Sequence, residues 1–162
     1  MVLKKGFSLI ELVVVIGLLS LLILAISSTM LMSLVSSNRV RSVTKVKQSG
    51  GHAISQLQSL IRSAKSIDTC DTSTPALSIT NQDGGITEIL TESDGTNLHI
   101  SSGSGNFITP VNTTVSSFTI NCEPDLLEPT LVKISFDLQN TQSSTSVQNP
   151  LLHFETSINI RN

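Results

Sequence analysis

A chain of 162 residues with a formal net charge of −2 has room for one ordinary domain and an appendage. It has no Trp, no Tyr and five Phe, and its two cysteines form no CxxC pair, which argues against a base-stacking surface and against a cysteine-based metal knuckle. The small net charge hides an asymmetry: Arg39, Arg41, Lys45, Lys47, Arg62 and Lys65 stand together without an acid, whereas from Asp68 onward eleven acids face only Lys133 and Arg161.

In chain order, Lys4-Lys5-Gly6 comes first and the sequence then turns apolar. From Leu12 to Asn38 there is no charged side chain, a run of 27 residues. A helix needs roughly 20 residues to cross the ~30 Å of a bilayer's hydrocarbon. Phe7 to Val35 is apolar nearly all round, as a helix in lipid is. Glu11 stands alone near its start, where a carboxylate costs at least ~2.5 kcal/mol and is functional by default. Val40, Val43, Ile54, Leu57, Leu60, Ile61 and Ala64 follow mostly at spacings of three and four, which predicts an amphipathic helix continuing to residue 67. Gly50-Gly51 predicts a kink, local melting or a junction of two helices, since each Gly costs about 1 kcal/mol relative to Ala.

Residues 68–75, DTCDTSTP, read as a loop ended by Pro75. Beyond it the pattern predicts five or so antiparallel strands. Asp94-Gly95 between two β-prone runs signals a hairpin joining 86–91 to 97–101. Val115–Asn121 alternates and ends at Cys122. Leu131–Leu138 is the clearest strand, with Val132, Ile134, Phe136 and Leu138 on one face. Leu152, Phe154, Thr156, Ile158 and Ile160 share one side of a closing strand. Loops read at 123–129 and 140–150. A sheet with one apolar face needs a cover, and the stripe at 54–64 supplies one. Cys70 and Cys122 suggest one disulfide, worth roughly 4 kcal/mol by the chain-entropy argument, with two buried thiols as the alternative.

No reactive constellation stands out. His52, His99 and His153 are far apart and read as surface or packing residues. SSGSGN at 101–106 lacks the Lys-Ser/Thr of a phosphate-binding loop. The serines have no nucleophile elbow. Asp83, Asp94, Glu123 and Asp125 do not make a dense calcium loop. The expectation is therefore no enzyme, no cofactor and no metal. The charge blocks read as solvated faces, as basic stems attracting the acidic heads of neighbouring copies, or as a basic collar against anionic lipid. The acidic head argues against direct nucleic-acid binding.

Three export readings compete for the N-terminus. A conventional signal would be cleaved near Ala25-Ile26-Ser27, and a simple anchor would stay uncleaved; neither has a use for Glu11. Cleavage between Gly6 and Phe7 accounts for every letter. Phe7 then gains a free amine, and Glu11 lies one turn along on the same face. Its charge neutralises such an amine on a neighbouring copy and sets the stagger between copies.

Lys5-Gly6-Phe7-Ser8-Leu9-Ile10-Glu11 followed by a long uncharged run resembles the N-terminal motif shared by type IV pilins and type II secretion pseudopilins. The resemblance covers residues 4 to about 35. It implies cleavage after Gly6 by a prepilin peptidase, N-methylation of Phe7 and use of Glu11 in assembly. It implies a pilin-like α+β fold, a long helix carrying a small antiparallel head, often with a disulfide near the C-terminus. HAISQLQSLIRSAKSI (52–67) and HFETSINIRN (153–162) are similar to minor rather than major subunits. The apolar run lacks the helix-kinking Pro of many major pilins. The implied organisation is a leader (1–6), a membrane-spanning or filament-core helix (7–35), an amphipathic helix (36–67) and a β head (68–162). The implied partners are other pilin or pseudopilin subunits, the peptidase and an inner-membrane assembly platform. The implied location is the inner membrane, crossed once with the head outside the cytoplasm, and then a pilus or a periplasmic or cell-surface filament. From another class, the alternative is an exported or anchored β-rich binding domain with an ordinary signal.

Overall fold

The computed structural model describes residues 8–103, 105–123, 131–141 and 150–160. The chain divides into two units, Met1–Val40 and Arg41–Asn162. One helix, α1 (Leu9–Ser63), is followed by seven strands among the described residues: β1 (Ser66–Asp71), β2 (Ala76–Thr80), β3 (Ile86–Ser93), β4 (Leu98–Ser102), β5 (Thr113–Glu123), β6 (Leu131–Asn140) and β7 (Leu152–Asn159). This is the α+β architecture expected of the sequence, a long N-terminal helix with antiparallel sheet. The loops read at 123–129 and 140–150 lie mostly outside the described residues.

The strands form two antiparallel sheets rather than one, β1-β2-β3-β4 and β5-β6-β7. The break falls after β4, where the chain folds back on its own strand. Ile108 N donates to Ile100 O at 2.7 Å, and Ser101 bridges to Phe107, so β4's outer side is occupied before β5 begins. A disulfide joins the sheets, Cys70 on β1 to Cys122 on β5, with Cα atoms 6.5 Å apart. The stretch read as loop at 68–75 is strand over its first half, to Asp71, and turn over 72–75. Ile67 pairs with Ile79 and Cys70 with Leu77, so the helix stops at Ser63, short of residue 67. Asp is a weak strand former, and Asp68 and Asp71 both fall in β1; here the partner strand decides.

Within the unit from Arg41, α1 buries Ser42, Val46, Gly50, Ala53, Leu57 and Ile61, one stripe at spacings of three and four. Of these, Val46, Ala53, Leu57 and Ile61 join Leu77, Ile79, Ile89 and Ile100 of the first sheet in a single core. Ile120, Val132, Ile134, Phe136, Leu138 and Ile158 bring in the second sheet. The stripe runs straight through Gly50-Gly51, without the break the sequence predicts. The reason is local: Gly50 is buried, and a Cβ there would overlap the ring of Phe154 on β7. Glycine serves here for close approach rather than for flexibility.

β6 alternates as read: Val132, Ile134, Phe136 and Leu138 are fully buried. β5 holds a bulge between Val115 and Ser117 that resets its phase. Val115 is buried at an odd position, and Phe118, Ile120 and Cys122 at even ones. At the predicted hairpin, Gly95 has φ +95. Asp94 Oδ1 accepts from the backbone N–H groups of Thr96 and Asn97 at 2.8 and 2.7 Å. Only a residue without Cβ takes that backbone conformation freely, so Asp-Gly fixes the turn.

Candidate functional site

The helix starts at a polar residue. Ser8 O accepts from Glu11 N at 3.0 Å and from Leu12 N at 3.2 Å. Glu11 sits in the first turn, where the positive end of the helix dipole favours an acid. Its side chain is exposed, and it is the only charge between Ser8 and Asn38. Gly6 and Phe7, the expected processing pair, lie outside the described residues.

Beyond Glu11 the helix presents hydrocarbon on every side. Each large apolar side chain from Leu9 to Val35 is between 50% and 81% exposed. A protein that left such a surface in water would aggregate; it requires lipid or a partner. By length and composition α1 qualifies as a membrane span, and none of its most apolar window is buried. Four of the hydroxyls in this stretch bond to their own helix. Ser20 Oγ donates to Gly17 O at 2.8 Å, and Ser27 Oγ to Ile23 O at 2.8 Å. Ser28 Oγ reaches Ala25 O at 2.9 Å, and Thr29 Oγ1 reaches Ile26 O at 2.8 Å. Each of these four hydroxyls is thereby satisfied without water, as hydrocarbon surroundings demand.

The residues set aside at the level of sequence have structural work in the unit from Arg41. Asp83 Oδ1 accepts from Gly85 N at 2.9 Å in the β2–β3 turn. The Asp94 carboxyl is held down to about 2 by the backbone N–H groups of Asn97 and Thr96, and further by the His99 ring. Asp71 lies below the usual carboxylate range because the Thr74 and Ser73 hydroxyls and their backbone N–H groups point at it. Asp137 is lowered by the Ser117 hydroxyl and by His153. His153 Nδ1 meets Asp137 Oδ1 at 2.7 Å on the outer face of the second sheet. Among the described residues no three His, Cys, Asp or Glu side chains gather as a metal set; Asp125 lies outside them.

Sequence reading missed one network. His99 is fully buried, its Nε2 3.2 Å from Asp94 Oδ2 and its Nδ1 3.4 Å from Thr109 Oγ1. The Phe107 ring lies 4.7 Å from it. The available signal was register: a hairpin turn at Asp94-Gly95 brings His99 back beside the turn. Thr109 Oγ1 also accepts from Ile100 N at 3.1 Å and is buried, so this Asp-His-Thr row is a brace and not a nucleophile.

A family model described as the prokaryotic N-terminal methylation motif matches residues 1–27. Neither the curated proteins nor the solved structures yield a match to the chain.

Proposed function

We propose that this chain, a member of the type IV pilin and pseudopilin family by its N-terminal motif, is a minor structural subunit of a type IV pilus or pilus-like filament. The observation that carries the reading is the helical surface from Leu9 to Val35, apolar on all sides and exposed, with Glu11 as its lone charge. In the membrane that surface meets lipid; in a filament it meets the same segment of other subunits. The role is structural rather than enzymatic.

The steps follow from charge. A peptidase cleaves after Gly6, removing Lys4-Lys5 with the leader, and Phe7 is left with a methylated, positively charged amine. Glu11 of the incoming subunit pairs with that amine on its neighbour. An unpaired charge in hydrocarbon is strongly unfavourable and a paired one is tolerable, so only one stagger is acceptable. The partners are other subunits, the peptidase and an inner-membrane platform. Before assembly the chain spans the inner membrane once, with the β head outside the cytoplasm.

Intact-mass analysis of the protein from its native host tests the processing step. The expected mature chain begins at methylated Phe7. A chain that keeps Met1–Gly6, or one that begins near Ser28 as conventional secretion requires, defeats the proposal. For assembly, Glu11→Ala is expected to insert into membranes normally while its incorporation into filaments falls by about tenfold or more. Undiminished incorporation removes Glu11 from the mechanism.

A further inference from the structure

On the unit from Arg41, a groove opens between α1 and the chain that follows β4. Its volume is about 620 Å³; Gln56, Ser59 and Leu60 line one side, and Ser102, Asn106 and Phe107 the other. That size falls among small-molecule clefts of roughly 300–1,000 Å³. Positions 56, 59 and 60 are spaced as one ridge of the helix, so a single helical face looks onto the groove.

Three features narrow the ligand. The lining holds no ionisable side chain. An anionic ligand would lose water there and gain no countercharge, and the Glu92 carboxylate beside the groove already accepts from Gly105 N at 3.3 Å. The polar side chains are also uncommitted: among the described residues, those of Gln56, Ser59 and Asn106 make no hydrogen bond. On the same helix Ser55, Gln58 and Ser63 are all bonded, to Gly51 O, Thr156 Oγ1 and Leu60 O. Finally, Phe107 is half-buried and braced by His99, so one aromatic ring is held rigidly at the groove wall.

We infer that this groove binds a short neutral oligosaccharide. Sugar hydroxyls donate and accept, and so do the amides of Gln56 and Asn106. The C–H face of a pyranose lies against an aromatic ring, and Phe107 offers one. The groove is open, which leaves the outer hydroxyls in water. A peptide added as a strand needs a free sheet edge. The edge of β4 beside the groove is already used, by Asn106 O accepting from Ser102 N at 3.0 Å and by Ile108 N donating to Ile100 O.

Saturation-transfer NMR tests the site on the full chain in dodecylphosphocholine micelles, a detergent without sugar. The probes are maltotetraose, cellotetraose and chitotetraose, with tetra-alanine as the peptide comparison. At least one tetrasaccharide is expected to bind. Gln56→Ala and Asn106→Ala are each expected to weaken it about tenfold. Ser59→Trp, which fills the groove from an exposed helical position, is expected to abolish binding while the circular dichroism stays unchanged. The inference is overturned if no tetrasaccharide receives transfer, if tetra-alanine binds as well as the sugars, or if the bound sugar tolerates Ser59→Trp.

Discussion

At Gly50, α1 meets Phe154 of β7 without room for a side chain. The ring of Phe154 fills the place a Cβ would take, and it stacks in turn on Phe136 at 5.3 Å. Gly51 is exposed, and nothing lies within 4 Å of a Cβ built there. The two adjacent glycines therefore respond oppositely to the same change. Gly50→Ala is expected to cost about 1–3 kcal/mol by overpacking, while Gly51→Ala gains about 0.5–1 kcal/mol through helix propensity. Thermal unfolding of both variants checks the contrast. From sequence the pair is symmetric and reads as a weak point; only docking against β7 tells them apart. Asp94 carries a second prediction. Its folded value, about 2, lies below the ordinary 3.8, so the carboxylate stabilises the fold above about pH 4. That contribution drains away as pH falls from about 4 to about 2. Asp94→Asn should be less stable than the parent at pH 6, and the gap should narrow by pH 2 in acid-unfolding curves.

At the level of elements, legibility followed locality. β6 was visible because Val132 to Leu138 alternates without interruption, and the β3–β4 hairpin because Asp94-Gly95 dictates its turn. β1 was invisible because SIDTCD holds one Ile amid polar residues; its pairing with β2 and its bond to β5 make it a strand. The phase of β5 was half legible, since a bulge cannot be read from alternation that it interrupts. The division into two sheets was hidden as well, because it depends on residues 106–108 returning to β4. The Cys70–Cys122 bond spans 52 residues of sequence and ties β1 to β5 across the two sheets. Cys70→Ser with Cys122→Ser is expected to destabilise the head by about 2–5 kcal/mol, read as a fall in unfolding temperature that reductant reproduces in the parent.

For the molecule as a whole, the N-terminal segment was the most legible part, because its message is composition: 27 residues without charge need no tertiary contact to be understood. The head was less so: the groove above Phe107 joins distant segments, and the braced His99 depends on the chain turning back after β4. The chain is expected to remain in the membrane fraction after alkaline carbonate washing and to leave it only with detergent; release by carbonate alone would contradict a spanning segment. The hydroxyls of Ser20, Ser27, Ser28 and Thr29 each turn back on the helix that bears them. Spin that cylinder about its axis and a neighbour would feel almost the same greasy wall at every angle. Azimuth and axial position are then nearly free along this stretch, which is why the proposed filament assigns a neighbour's bearings to the single acid at one end.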